Sequence, residues 1–171
     1  MVIRLGSGEI LMAPTTMTIT VLTPEALRAH WQGHRRVTRR VLEAFPEDKL
    51  FTFSIGGMRP FGEMIKEFLY MTEPIAKGVA TGVWEEKKPT EAVDKAALLA
   101  AWDEDTAAID RIWPTIAGHR WEEMDMAFGK WPGRGIDMIL YAIDNEVHHR
   151  GQGYAYLRAL GVEPPAFYSR E

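Results

Sequence analysis

The sequence predicts an all-α fold, a four-helix bundle, and three observations carry that expectation. Four long stretches repeat apolar residues at the three-to-four spacing that lines one face of a helix. Helix punctuation bounds them, notably Thr23-Pro24-Glu25, Pro46, Pro60 and Gly161. Apolar alternation is too short anywhere to anchor a sheet, so the helices must bury one another's faces.

The first helix is expected over 24–45. Thr23 is its N-cap, Pro24 its first residue, and Leu27, Trp31, His34, Val41 and Phe45 recur along it before Pro46. His30 and His34 stand four apart, a spacing capable of metal binding, although Trp31, Gly33 and the basic run after them also suit an amphipathic structural helix. Residues 50–58 alternate Phe51, Phe53 and Ile55 before Gly56-Gly57 and read as a packed loop. A second helix is expected over 60–77, running across Pro74. The run Glu85-Glu86-Lys87-Lys88 then reads as a solvated face. Leu98, Leu99, Trp102, Ile109, Ile112 and Trp113 place the third helix over 92–116, in an alanine-rich stretch. Residues 118–135 form an aromatic-rich connection expected to fold back on the bundle. The fourth helix is expected over 134–160, with Asp137 in its first turn, where negative charge is favoured, and Gly161 and Pro164-Pro165 ending it. Met58, Met64, Met71, Met138 and the tryptophans are expected to fill the core, and Gly151 to permit close helix approach.

A chain of 171 residues is long enough for one domain with a sizeable core. Residues 1–20 read as a flexible N-terminal extension, given internal methionines at 12 and 17, and 21–171 as the bundle. Net charge −4 gives no attraction for phosphate backbones or anionic lipid, so nucleic acid and membrane surfaces are not expected partners. No apolar run approaches the roughly 20 residues that cross a bilayer, and the N-terminus lacks a secretory pattern; a cytoplasmic location is expected. There is no cysteine, which excludes disulfides, thiolate metal ligands and a cysteine nucleophile. Any metal must be held by nitrogen and oxygen.

Chemistry concentrates in the fourth helix, where Ile139 to Gln152 carries acids, an amide, two histidines and an arginine within a helical apolar pattern. Asn145 and His149, four apart, share a face that Tyr141 and Gln152 continue, whereas His148 points elsewhere with Asp144. Arg150 stands four after Glu146, the favourable acid-then-base order.

The run Asn-Glu-Val-His-His-Arg-Gly-Gln (145–152), followed by Tyr-Leu-Arg-Ala-Leu-Gly-Val (156–162), resembles the last-helix signature of the DinB/YfiT-like family. The resemblance implies a four-helix bundle holding a divalent metal on three histidines, one from the second helix and two spaced i, i+4 in the last. This chain departs from the pattern twice. Asn145 stands where the first histidine of His-Glu-x-His-His-Arg-Gly-Gln belongs, and laying Gly-Glu-Leu-x-x-His-Leu over residues 62–68 puts Glu67 in the second-helix position. The implied metal set is therefore Glu67, Asn145 and His149, harder than three histidines, which widens the choice from zinc to manganese, iron or nickel. The resemblance further implies a homodimer and a metal-dependent transferase or isomerase using a small-molecule thiol, necessarily a cosubstrate here. The alternative is a non-catalytic, stress-associated dimeric bundle with a degenerate site. A substrate pocket is expected beside His149 and Tyr141, with Tyr156 and Trp131 in its wall.

Overall fold

The structure is a computed structural model that describes residues 21–171, so the expected N-terminal extension lies outside the described residues. The four helices form as α1 (Pro24–Ala44), α2 (Phe61–Thr81), α3 (Lys95–Ile112) and α4 (Gly135–Ala159). Thr23 caps α1, its hydroxyl accepting from the Ala26 amide at 3.1 Å, and Asp94 caps α3 in the same way through Ala97. α2 continues through Pro74 and runs four residues further than expected, stopping where Gly82 takes φ 74°, the left-handed conformation that suits glycine at a helix end. α3 is shorter than expected. Pro114 has no N–H to continue the helical ladder, and Trp113–Thr115 tighten into a 3-10 turn instead.

The connection before α4 does fold back on the bundle, but it contains a short hairpin that the sequence reading missed. Strands β1 (Met124–Ala127) and β2 (Trp131–Arg134) pair antiparallel, with Ala127 opposite Trp131. The turn between them places both Phe128 (φ 52°) and Gly129 (φ 67°) in the left-handed region. Such a conformation is uncommon for a bulky residue. Phe128 is held there by edge-on contact with Trp84 and Trp131, at ring separations of 5.5 and 6.1 Å.

α1 and α2 each pack against both α3 and α4, and the helices bury two apolar clusters. One contains Phe45, Phe61, Phe68, Trp102 and Tyr156; the other contains Trp31, Ile75, Ile109, Trp113, Trp121 and Ile139. Along every helix buried polar residues lie between the two clusters: His34, Arg35 and Thr38 on α1, Thr72 on α2, Asp105 on α3, Glu146 and Arg150 on α4. The bundle is thus two apolar halves separated by a polar layer.

That layer is closely satisfied. Arg35, wholly buried, pairs with Asp105 at 3.0 Å and lies 3.8 Å from Glu146, while its guanidinium carbon sits 3.4 Å from the centroid of the Trp102 ring. Glu146 accepts from Thr38 at 2.5 Å and from the Trp31 indole at 3.4 Å. Arg150 donates to the Thr38 hydroxyl, the His34 carbonyl and His34 Nδ1, at 2.9–3.1 Å. Lys87 reaches Asp105 at 2.9 Å, so the run 85–88 is not simply a solvated face.

Other details of packing also differ from expectation. Gly151 meets nothing within 4 Å; Gly153 is the close-approach residue, where an added Cβ would lie 2.5 Å from the Phe61 ring. Met64 is core as expected, but Met58 and Trp131 are exposed.

Candidate functional site

Asn145 and His149 lie one turn apart on the side of α4 that meets α2, at the level of the polar layer but toward its open edge. Glu67 comes to the same place from α2. The Asn145 amide donates to Glu67 Oε1 at 3.2 Å, and His149 Nε2 stands 3.5 Å from the same oxygen. The three residues picked out from the sequence are therefore neighbours in space.

A fourth member, not among the residues expected, joins them from outside the helices. The guanidinium of Arg59, from the loop before α2, forms an ion pair with Glu67 Oε2 and lies 3.5 Å from His149 Nε2. Arg59 and Glu67 are eight apart, and Arg59 precedes the helix, so no helical spacing rule connects them. Gln152 supports the far side of the imidazole, 3.2 Å from His149 Nδ1, and contacts exposed His148 at 3.0 Å. Phe68 lies beneath it, with rings 5.9 Å apart.

The surroundings set the charges. Burial raises the Glu67 carboxyl, but hydrogen bonds from Arg59 and Asn145 and the Arg59 charge outweigh it and hold the group below the usual carboxylate range. Burial lowers His149, aided by Arg59 and His148 and opposed by Glu67, so the imidazole stays neutral at pH 7. A carboxylate therefore faces a neutral imidazole.

Glu67 also lines a cavity of about 560 Å³, within the range of small-molecule sites. Met71, Ile75, Phe128, Trp131 and Tyr141 form much of its apolar wall, with Glu86 and Asp137 adding carboxylates. His149, beside which the pocket is expected, is not in its lining and reaches it only through Glu67. Trp131 and Tyr141 stand where expected. Tyr156 does not: it is 0% exposed, and its hydroxyl donates to the Arg59 carbonyl at 3.1 Å. The hairpin turn at Phe128 supplies a wall that no helical periodicity reveals.

The other histidine pair belongs to the polar layer and its edge. His30 and His34 face each other through Nε2 at 3.1 Å, while each Nδ1 meets an arginine, Arg170 for His30 and Arg150 for His34. Burial first, and then Arg150, Arg170 and His30, push His34 down to about 3.

Among the described residues, no group of three or more histidine, aspartate or glutamate side chains is placed to hold a metal ion. The donor set at Glu67 is of a different kind: one carboxylate, one imidazole and one amide, whose oxygen faces Glu67 once the amide is turned over. Two donors 3.5 Å apart are spaced as neighbours on one small cation with bonds of about 2.0–2.2 Å. Their chemistry fits a hard divalent ion.

Comparison with known proteins agrees with this architecture. The family model described as "DinB family" matches residues 17–171. The chain belongs to the DinB family. It is 26% identical over 147 residues to the uncharacterized protein YjoA of Bacillus subtilis (strain 168), covering 83% of this chain and 94% of that protein. The crystal structure of a DinB-like protein, YjoA from Bacillus subtilis, superposes with a TM-score of 0.69 at 19% identity, covering 82% of this chain and 96% of that one. A DinB-like protein from Bacillus cereus ATCC 10987 gives 0.70 at 16%, covering 84% and 97%. A histidine-to-alanine mutant of the mycothiol-dependent maleylpyruvate isomerase gives 0.60 at 13%, covering 77% and 61%. At these identities the structures bear on the DinB-like bundle fold alone. No described helix is long and apolar enough to cross a membrane.

Proposed function

We propose that this DinB-family protein is a metal-dependent enzyme acting on a small molecule in the cavity, with Glu67, His149 and Asn145 as the metal's protein ligands. One observation carries the reading: Glu67 both lines the cavity and meets Asn145 and His149. A bound divalent ion supplies Lewis acidity or a more acidic bound water or thiol. The protein's own part is to hold Glu67 ionised and His149 neutral, to seat the ligand's apolar body against Trp131, Phe128 and Tyr141, and to shield it from water. The fold shared with a mycothiol-dependent isomerase supports a thiol-dependent isomerase or transferase, the thiol coming from a cosubstrate because the chain has no cysteine. Zinc, nickel, iron and manganese all suit the donors. We extend the proposal to a homodimer, for which the exposed Leu140 and Val147 on α4 offer apolar surface; sedimentation showing only monomer at tens of micromolar would reject it.

The Arg59–Glu67 ion pair favours a second reading, a non-catalytic dimeric bundle of stress physiology whose cavity binds its ligand without metal. Elemental analysis and uptake of added Zn2+ or Mn2+ separate the two. The metal-dependent reading expects one equivalent per chain in the wild type and none at this site in His149→Ala. A wild type that neither carries nor takes up metal overturns it.

A further inference from the structure

The position of Arg59 deepens the metal-binding reading, on which this inference rests. We propose that the Arg59 guanidinium is a built-in competitor for the metal, a side-chain cation that occupies Glu67 and must swing away before an ion can bind between Glu67 and His149.

The guanidinium touches the same two groups that a metal would use: it is paired with Glu67 Oε2 and stands 3.5 Å from His149 Nε2. A doubly charged ion beside those atoms and a guanidinium left in place would repel each other strongly at such separations. Occupancy by one therefore excludes the other.

The surroundings fix the backbone of Arg59 and leave its side chain free. Its carbonyl accepts from the buried Tyr156 hydroxyl at 3.1 Å. Pro60 follows it at the entrance to α2, and a residue before proline is restricted to extended conformations. The guanidinium itself reaches in from solvent, the Arg59 side chain being 50% exposed against 27% for Glu67 and 14% for His149. Release thus needs only side-chain rotation, with no movement of α2 or of its loop. The contrast with Arg35 and Arg150 is direct: those guanidiniums are buried, bonded on several sides and cannot leave.

The consequence is a site whose metal affinity is set below what its donors alone would give. A part-exposed pair contributes little stability, so the competitor is weak enough for a metal to displace. Arg59 is here a positioning residue that tunes access to Glu67.

Calorimetric titration of Zn2+ into the wild type, Arg59→Gln and each of these combined with His149→Ala tests the proposal, with circular dichroism to confirm folding. Removing the competing guanidinium should tighten Zn2+ binding by up to about fivefold in Arg59→Gln, and His149→Ala should abolish that binding in both backgrounds. Equal or weaker binding in Arg59→Gln, still lost with His149→Ala, overturns the competitor and leaves the metal site standing. Zn2+ binding that is absent, or indifferent to His149→Ala, in both backgrounds overturns the competitor and the metal-binding reading together.

Discussion

α4 contributes to two charged centres at one level of the bundle, and they are built to opposite ends. Glu146 and Arg150 turn inward to Arg35, Asp105, Thr38 and His34, where the charged groups meet partners of opposite sign and water is excluded. Asn145 and His149, each one residue earlier, turn toward α2 and meet Glu67 at the edge of a cavity, with a half-exposed arginine as counter-ion. The first centre is saturated and leaves no position for a ligand. The second has two adjacent donors, a neutral imidazole and an open side. A one-residue change of phase on one helix, about 100° of rotation, separates a structural ion network from a candidate site.

The largest expected effect comes from breaking the saturated centre. Arg35→Met removes the pair with Asp105 at 3.0 Å, the approach to Glu146 and the stacking on Trp102, leaving buried carboxylates under-neutralised. Losing one partner of a buried ion network costs about 3–5 kcal/mol, so the urea midpoint should fall steeply. A loss below about 1 kcal/mol, the value for an exposed pair, would erase the distinction between the two centres.

The fold was legible because it rests on periodicity. The cap at Thr23 and the stripes through Trp31, Trp102 and Ile139 are local signals, and local signals place helices. The convergence of Glu67, Asn145 and His149 was legible for two reasons, the i, i+4 spacing on α4 and the family pattern on α2. What escaped was long-range. Arg59 reaches Glu67 from a loop, Phe128 becomes a cavity wall through a turn conformation that its residue type disfavours, and Glu146–Arg150 looks like an ordinary surface pair until Arg35 and Thr38 are brought to it from α1. The same limit explains Gly151 and Gly153, since only the position of Phe61 reveals which of them faces a neighbour.

A medium effect should appear on acidification, and it also belongs to the saturated centre. His34 is held at about 3, chiefly by burial and then by Arg150, against an unfolded value near 6.5. Above 6.5 neither state carries the proton and the full stability is present. Between 6.5 and about 3 the unfolded chain binds a proton that the folded chain does not, so stability falls as pH falls, by about 1.4 kcal/mol per pH unit for one proton. Glu146 acts in the opposite sense, because burial raises its carboxyl. That contribution is common to the wild type and His34→Gln, so the difference between their urea midpoints at pH 7 and pH 5 isolates His34. The wild type should lose more stability over this interval; parallel losses would show that His34 is not held neutral by the layer.

The smallest expected effect on stability belongs to the open centre, and its smallness is what the comparison requires. Glu67→Gln keeps the shape of the side chain and a carbonyl oxygen for Asn145, and it gives up the charge that pairs with Arg59. Arg59 is half-exposed and turns to solvent, so no buried charge is stranded, and the change in unfolding free energy should stay within about 1 kcal/mol. Under the proposed function the same substitution should remove the strongest oxygen donor and with it the uptake of Zn2+. Near-unchanged stability with lost metal uptake would mark Glu67 as a group held for binding. A loss of several kcal/mol would instead place Glu67 with Arg35 and Glu146, as one more strut of the bundle's polar layer.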